Sequence, residues 1–417
     1  MLFRSKGADE KASGKLTNSL SSLTLNVGLD VAEGGTFVNN GTLEANKAIT
    51  VTGSLVNTGT LKTNETLTIK GGFDNAKGKI EASGNVTING LNKTTDLEAA
   101  PATIVMGDIT LTNATLTNND KGYTLKTEAE KKEGEGTDKK PETRARVSYG
   151  EVTLKEGGNF VNAEGALDSG SKLTITKDVG TGTAQINGKS TWGTINAQKN
   201  GAVTVGATGT LSADYLEYGY AAADGSKIGD LVNVTKDDQF TVNKGLTVGS
   251  FASDGSFNLS KTENKYLASG ASLTFGKAQA FKQVDDDKDP NNGQIDADGD
   301  YHKGTVTLSG YAAEWKEPAQ STAEGDADTD KKGSWDVTKF GSVTVYNNAQ
   351  LTISGSKVNA FADHGYTPSL SLGSLTLNST VLKVTPSFKV EKLTGFIETA
   401  LDKVNAGVAD DKKVTVD

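Results

Sequence analysis

Apolar residues in this chain come in short bursts separated by polar turns, and the bursts hold register over long stretches. Between Gly35 and Gly90 three segments align almost position for position: Phe37, Leu55 and Phe73 are 18 residues apart, as are Asn39, Asn57 and Asn75. Leu43, Leu61 and Ile80 follow, then Ile49, Leu67 and Val86, then Val51, Ile69 and Ile88, with Gly53, Gly71 and Gly90 closing each set. The same order recurs from Gly157-Gly158-Asn159-Phe160-Val161-Asn162 through Gly165, Leu167 and Leu173-Thr174-Ile175. Elsewhere the triplet apolar-Thr-apolar carries the pattern, from Leu23-Thr24-Leu25 through Val203-Thr204-Val205 and Leu273-Thr274-Phe275 to Leu375-Thr376-Leu377. Alternation with period two predicts short strands, apolar side chains inward and the β-branched Thr outward.

A unit of 18 to 20 residues with two or three such strands cannot bury its apolar face alone, so the repeat predicts stacking. If each unit is one coil, like residues lie above like at the strand spacing, with aliphatic columns inside and Asn and Thr ladders at the corners. Asn suits a corner because its side chain bonds backbone and tolerates a left-handed conformation. About 15 coils at ~4.8 Å each would make a rod on the order of 70 Å long. The competing arrangement is an antiparallel sandwich in which each period is a hairpin pair. Its Asn40-Gly41 turn is replaced by Thr58-Gly59 one unit later, which favours the coil. The expected fold is therefore an all-β, parallel β-helix.

The breaks in this pattern set the expected organisation. Residues 1–5 fit nothing that follows and read as a non-native scar, and coils run over 6–125. A charged insert occupies 126–147, coils resume over 148–282, an acidic insert follows at 283–304, a strand at 305–315 and a second acidic insert at 316–333. Coils return over 334–385, and 386–417 is a truncated C-terminal segment. There Leu393, Phe396, Ile397, Ala400, Leu401 and Val404 fall at helical spacing, predicting a short amphipathic helix that covers an end or edge of the coils.

Composition narrows the class. Gly numbers 49 against 6 Pro, and aromatic residues make up 6%, which suits slim strands and tight turns rather than a thick core. Cysteine is absent, so neither disulfides nor thiolate metal sites can form, and export of an unfolded chain is permitted. A net charge of -9, with arginine only at Arg4, Arg144 and Arg146, argues against a nucleic-acid partner. No apolar run reaches the roughly 18 residues that span a bilayer. The polar stretch Lys6 to Lys15 is unlike a signal peptide, so export signal and anchor are expected outside this chain.

Candidate chemistry is sparse. The first acidic insert places Asp287, Asp289 and Asn291 at alternate positions, with Asp296 and Asp298 beyond, a set of hard oxygen donors suited to calcium. It departs from the EF-hand loop at its turn, where Asn292 stands in place of glycine, and at Asp298 in place of the bidentate Glu. No other cofactor is expected. His302 and His364 are isolated, Arg144 and Arg146 fall in the charged insert and off the repeats, and no triad or zinc pattern surrounds them. Tyr215, Tyr218 and Tyr220 cluster, and Trp315 and Trp335 flank an insert; exposed, they would stack on sugar rings or dock a partner, and otherwise they anchor core and loops.

The run Leu55-Val56-Asn57-Thr58-Gly59-Thr60-Leu61 through Leu67-Thr68-Ile69-Lys70-Gly71 resembles the repeats of filamentous-haemagglutinin-like exoproteins and autotransporter passenger domains. The likeness is clearest over residues 35–90 and 150–176. It implies a right-handed parallel β-helix exported to the bacterial surface, and a non-enzymatic adhesive stalk. Implied partners are host-cell or matrix glycans and proteins, or neighbouring bacterial cells, with the membrane reached only through a translocator or anchor outside this chain. The rival expectation is a carbohydrate-active β-helix, a polysaccharide lyase, glycoside hydrolase or phage-tail-type polysaccharide binder, with Asp or Glu lining a groove.

Overall fold

In the computed structural model the described residues are 14–90, 94–97, 99–125, 142–176, 182–197, 202–219, 221, 225–249, 251, 255–276, 304–311, 314–316, 333–346, 349–355, 370–377, 382–384, 388–390 and 393–394. They form an all-β parallel solenoid, and neighbouring coils run in the same direction throughout its main sheets. The hairpin alternative is thereby excluded for the repeats. Two compact units divide the chain, one of residues 1–214 and 231–241, the other of residues 215–230 and 242–417.

In the first unit each early coil has three strands, exemplified by Thr36–Asn39, Thr42–Ala45 and Ile49–Val51. Each pairs in register with its counterpart in the next coil: Phe37 with Leu55, Leu43 with Leu61, Ile49 with Leu67. The third face is a nine-stranded parallel sheet from Leu29–Val31 to Val232–Val234. Its inward column Leu29, Ile49, Leu67, Val86, Leu116, Phe160, Ala184, Val203 and Val232 is at most 2% exposed. Thr50, Thr68, Thr87 and Thr117 stand in line on its outer side, as the triplet pattern predicts. Burying each Leu or Ile contributes about 1.5–3 kcal/mol, so the columns carry the fold. The corner glycines permit close stacking: a Cβ at Gly71 would run into the Thr52 and Gly53 carbonyl oxygens of the preceding coil.

The Asn positions form the corner ladder expected of them and bond the turn backbone, but buried and without a left-handed conformation. Asn39, Asn57 and Asn75 are at most 1% exposed, and none of them has a positive φ. Their amides form an internal ladder: Asn18 Nδ2 donates to Asn39 Oδ1 at 2.7 Å, Asn39 to Asn57 at 2.6 Å, and Asn57 to Asn75 at 2.5 Å. The same Nδ2 groups bond the carbonyl two residues on, at Gly41 and Gly59, so each Asn ties its own turn and the coil beneath. In the low dielectric of the interior such a chain of satisfied amides holds register strongly.

From Val147 onward the first two strands of a coil fuse into one nine-residue strand, as in Val147–Lys155, Leu167–Ile175 and Lys189–Ala197. The repeat's Phe-Val-Asn motif also changes face, a shift already made at Asn118. Phe160 and Asn162 do not continue the Phe37 and Asn39 columns; they lie on the nine-stranded sheet, where Asn162 aligns with Asn118 and Ile88. Leu167 likewise opens the first face rather than continuing the Leu43 column, and Asp168 takes the inward place below Val147. The Phe-Val-Asn motif therefore marks an arch in the chain, not a fixed angle around the coil.

The second unit repeats the principle. Ser256–Ser260, Gly304–Tyr311, Ala349–Gly355 and Leu382–Val384 make a four-stranded parallel sheet. Ser272–Phe275, Thr338–Val345 and Leu370–Leu377 make a second ladder. At the expected C-terminal helix, Leu393–Thr394 is instead a strand, its backbone joining the parallel ladder at Leu375 and Thr376. The other helix positions lie outside the described residues.

Candidate functional site

Among the described residues, the places that bear on function are the bases of two inserts and one polar level in the core. The charged insert leaves the first unit from Tyr123–Leu125, which pairs antiparallel with Thr143–Arg144 and parallel with Thr94–Leu97. On both sides of it the coils stay in register, Ile109 opposite Val152 and Leu111 opposite Leu154. Arg146, expected in the insert and off the repeats, is instead buried in the stack at 6% exposure. Its Nε donates to Ala102 O at 2.5 Å and one terminal nitrogen to Gly71 O at 2.9 Å, while the other lies 3.5 Å from Asp120 Oδ2. Burial lowers its pKa, and Asp120 opposes the shift. Asp120 in turn accepts from Gly122 N at 2.8 Å, so the ion pair clamps the base of the insert.

In the second unit Glu314–Lys316 and Ser334–Asp336 form an antiparallel hairpin at the root of the second acidic insert. Trp315 and Trp335 stand opposite each other across it, ring centres 5.4 Å apart and edge to face. A Lys316–Asp336 ion pair of 3.0 Å closes its outer side. The tryptophans expected to flank an insert thus pin its two arms together, the cross-strand aromatic pairing that steadies a hairpin. The tyrosines separate: Tyr218 is fully buried against Phe257 at 5.4 Å, while Tyr215 is 46% exposed with Lys244 over its ring at 6.0 Å. Three residues apart on an alternating stretch of the strand, the two face opposite sides. Tyr220 lies outside the described residues.

The core level missed by sequence reasoning comprises Tyr149, Asp168, Ser190 and Trp192, each at most 4% exposed. Ser190 donates its hydroxyl to Asp168 Oδ1, and Trp192 Nε1 donates to Ser190 Oγ at 2.8 Å. The Tyr149 and Trp192 rings stack 5.7 Å apart at 8°, although the two residues stand two rungs apart. The intervening residue is Gly170, whose missing side chain leaves room for the Trp192 ring. A polar letter following a column of apolar residues was the available signal, hidden by the phase shift at Leu167.

Comparison with family models, with curated proteins and with solved structures returns no match. The calcium candidates Asp287, Asp289, Asn291, Asp296 and Asp298 lie outside the described residues, as do His302 and His364. Among the described residues no three His, Asp or Glu side chains gather into a metal-binding group, and no helix is long and apolar enough to cross a membrane.

Proposed function

We propose that this chain is a non-enzymatic stalk, the passenger part of a secreted bacterial surface adhesin, whose coils hold insert loops out for contact with cells, matrix or biofilm neighbours. The observation that carries the reading is the way inserts are tolerated. Register continues across the charged insert at Ile109 and Val152, and across the acidic ones at Leu273 and Val343. Each insert with a described root leaves through a small antiparallel pair, at Tyr123 with Arg144 and at Trp315 with Trp335. A scaffold that keeps stacking while loops vary is the arrangement in which binding residues sit on loops and rigidity comes from the frame. The repeat likeness to exported β-helix proteins supports the same class.

The experiment is binding of the purified chain to epithelial cells, extracellular matrix and bacterial cells, beside variants lacking residues 126–142 or 317–332. Loss of adhesion on removing an insert, with the coils still folded, is expected, and substitution of any single carboxylate should leave adhesion intact. The same preparations are screened for polysaccharide cleavage with and without calcium. Turnover abolished by one Asp or Glu substitution would replace the stalk with a carbohydrate-active β-helix.

A further inference from the structure

The inward column Leu16, Phe37, Leu55, Phe73, Ile104 and Val147 continues with Asp168 and then Ser190. A carboxyl is thereby stacked directly beneath a valine. Asp168 Oδ1 receives the Ser190 hydroxyl, but Oδ2 is buried with no hydrogen-bond partner, and so is the Tyr149 hydroxyl. Tyr149, on the strand before it, faces Asp168, and Asp120, matched by Arg146, acts on the same tyrosine. Glu151, Lys155, Lys172 and Lys189 on the neighbouring strands occupy outward positions. No cation on these elements is directed at the carboxyl, and a charge left there lacks compensation.

We propose that Asp168 is an acid-operated latch: as a neutral acid it fits the apolar column and holds the Val147–Ala197 coils shut, and on losing its proton it loosens them. Burial pushes its pKa up to about 7, against the hydrogen bond from Ser190, which favours the charged form. The ordinary value is 3.8, so between there and about 7 the closed coils keep a proton that opened coils release. Opening therefore rises about tenfold per pH unit through that window and levels off above it, leaving the coils tightest on the acid side. The aromatic stack of Tyr149 and Trp192 sits on the same level and would register the change.

The test uses the full chain with Trp315→Phe and Trp335→Phe, which leaves Trp192 as the sole tryptophan, since the chain has three. Urea unfolding followed by its fluorescence at about pH 5 and about pH 8 should give a clearly lower midpoint at the higher pH. With Asp168→Asn added, the two midpoints should nearly coincide. A parent midpoint that does not move, or an Asn variant that moves as far as its parent, overturns the latch. If the Asn variant does not fold, carboxyl carbon titration of the parent by NMR decides: an Asp168 midpoint above about 6 supports the proposal, and one near ~4, the ordinary carboxylate range, overturns it.

Discussion

At the residue scale the molecule spends its few interior polar groups on register. Asn57 bonds both Asn39 and Asn75 and a turn carbonyl, so Asn57→Ala strands a donor above and an acceptor below. Its expected cost is about 2–3 kcal/mol in denaturant unfolding. Asn46 belongs to a similar ladder with Asn26 and Asn64 on the exposed side, where water replaces lost bonds, and Asn46→Ala should cost less than about 0.5 kcal/mol. Thr63 stands in an inward position between Ala45 and Ala82 with its hydroxyl buried and unpartnered. Thr63→Val keeps the shape and removes that burden, so the unfolding midpoint should rise by the equivalent of about 1 kcal/mol. Arg146→Met leaves Asp120 buried without its cation and should cost about 3–5 kcal/mol, much of which the added change Asp120→Asn restores.

At the element scale the strands were the legible part. Period-two triplets such as Ile49-Thr50-Val51 announce one inward and one outward set, and the 18-residue spacing announces stacking, because both are local consequences of backbone geometry. What the sequence concealed is the angle at which an arch falls. Phe37-Val38-Asn39 and Phe160-Val161-Asn162 read as one motif, yet the first lies on the first face of its coil and the second on the nine-stranded sheet, while the ladders themselves stay in register. The Asp168 level and the buried Arg146 were illegible for the same reason: their environments depend on partners 22 to 75 residues away. Gly170 shows the fused strand's own requirement. Gly170→Ala should unstack Trp192 from Tyr149, seen as loss of near-ultraviolet circular dichroism with a fall in stability of about 1–3 kcal/mol.

At the scale of the whole molecule, stability is close to a sum over coils, since each coil of the first unit contacts chiefly its neighbours. Removing residues 54–71, one complete coil, should join Phe37 directly to the Phe73 column and leave a folded, slightly shorter unit. Removing only half of that span should abolish cooperative unfolding, because every side chain beyond it would meet the wrong column. The claim on which stalk and latch both rest is that successive segments are stacked rungs in register. It is tested most directly by spin-label distances, which the cysteine-free chain makes simple. Labels at Asp30 paired with Thr117, Gln185 or Thr204 lie four, six and seven rungs apart on the nine-stranded sheet. The backbone separations should lengthen steadily, to roughly 19, 29 and 34 Å. Distances that fail to grow with rung number would contradict the stacked solenoid.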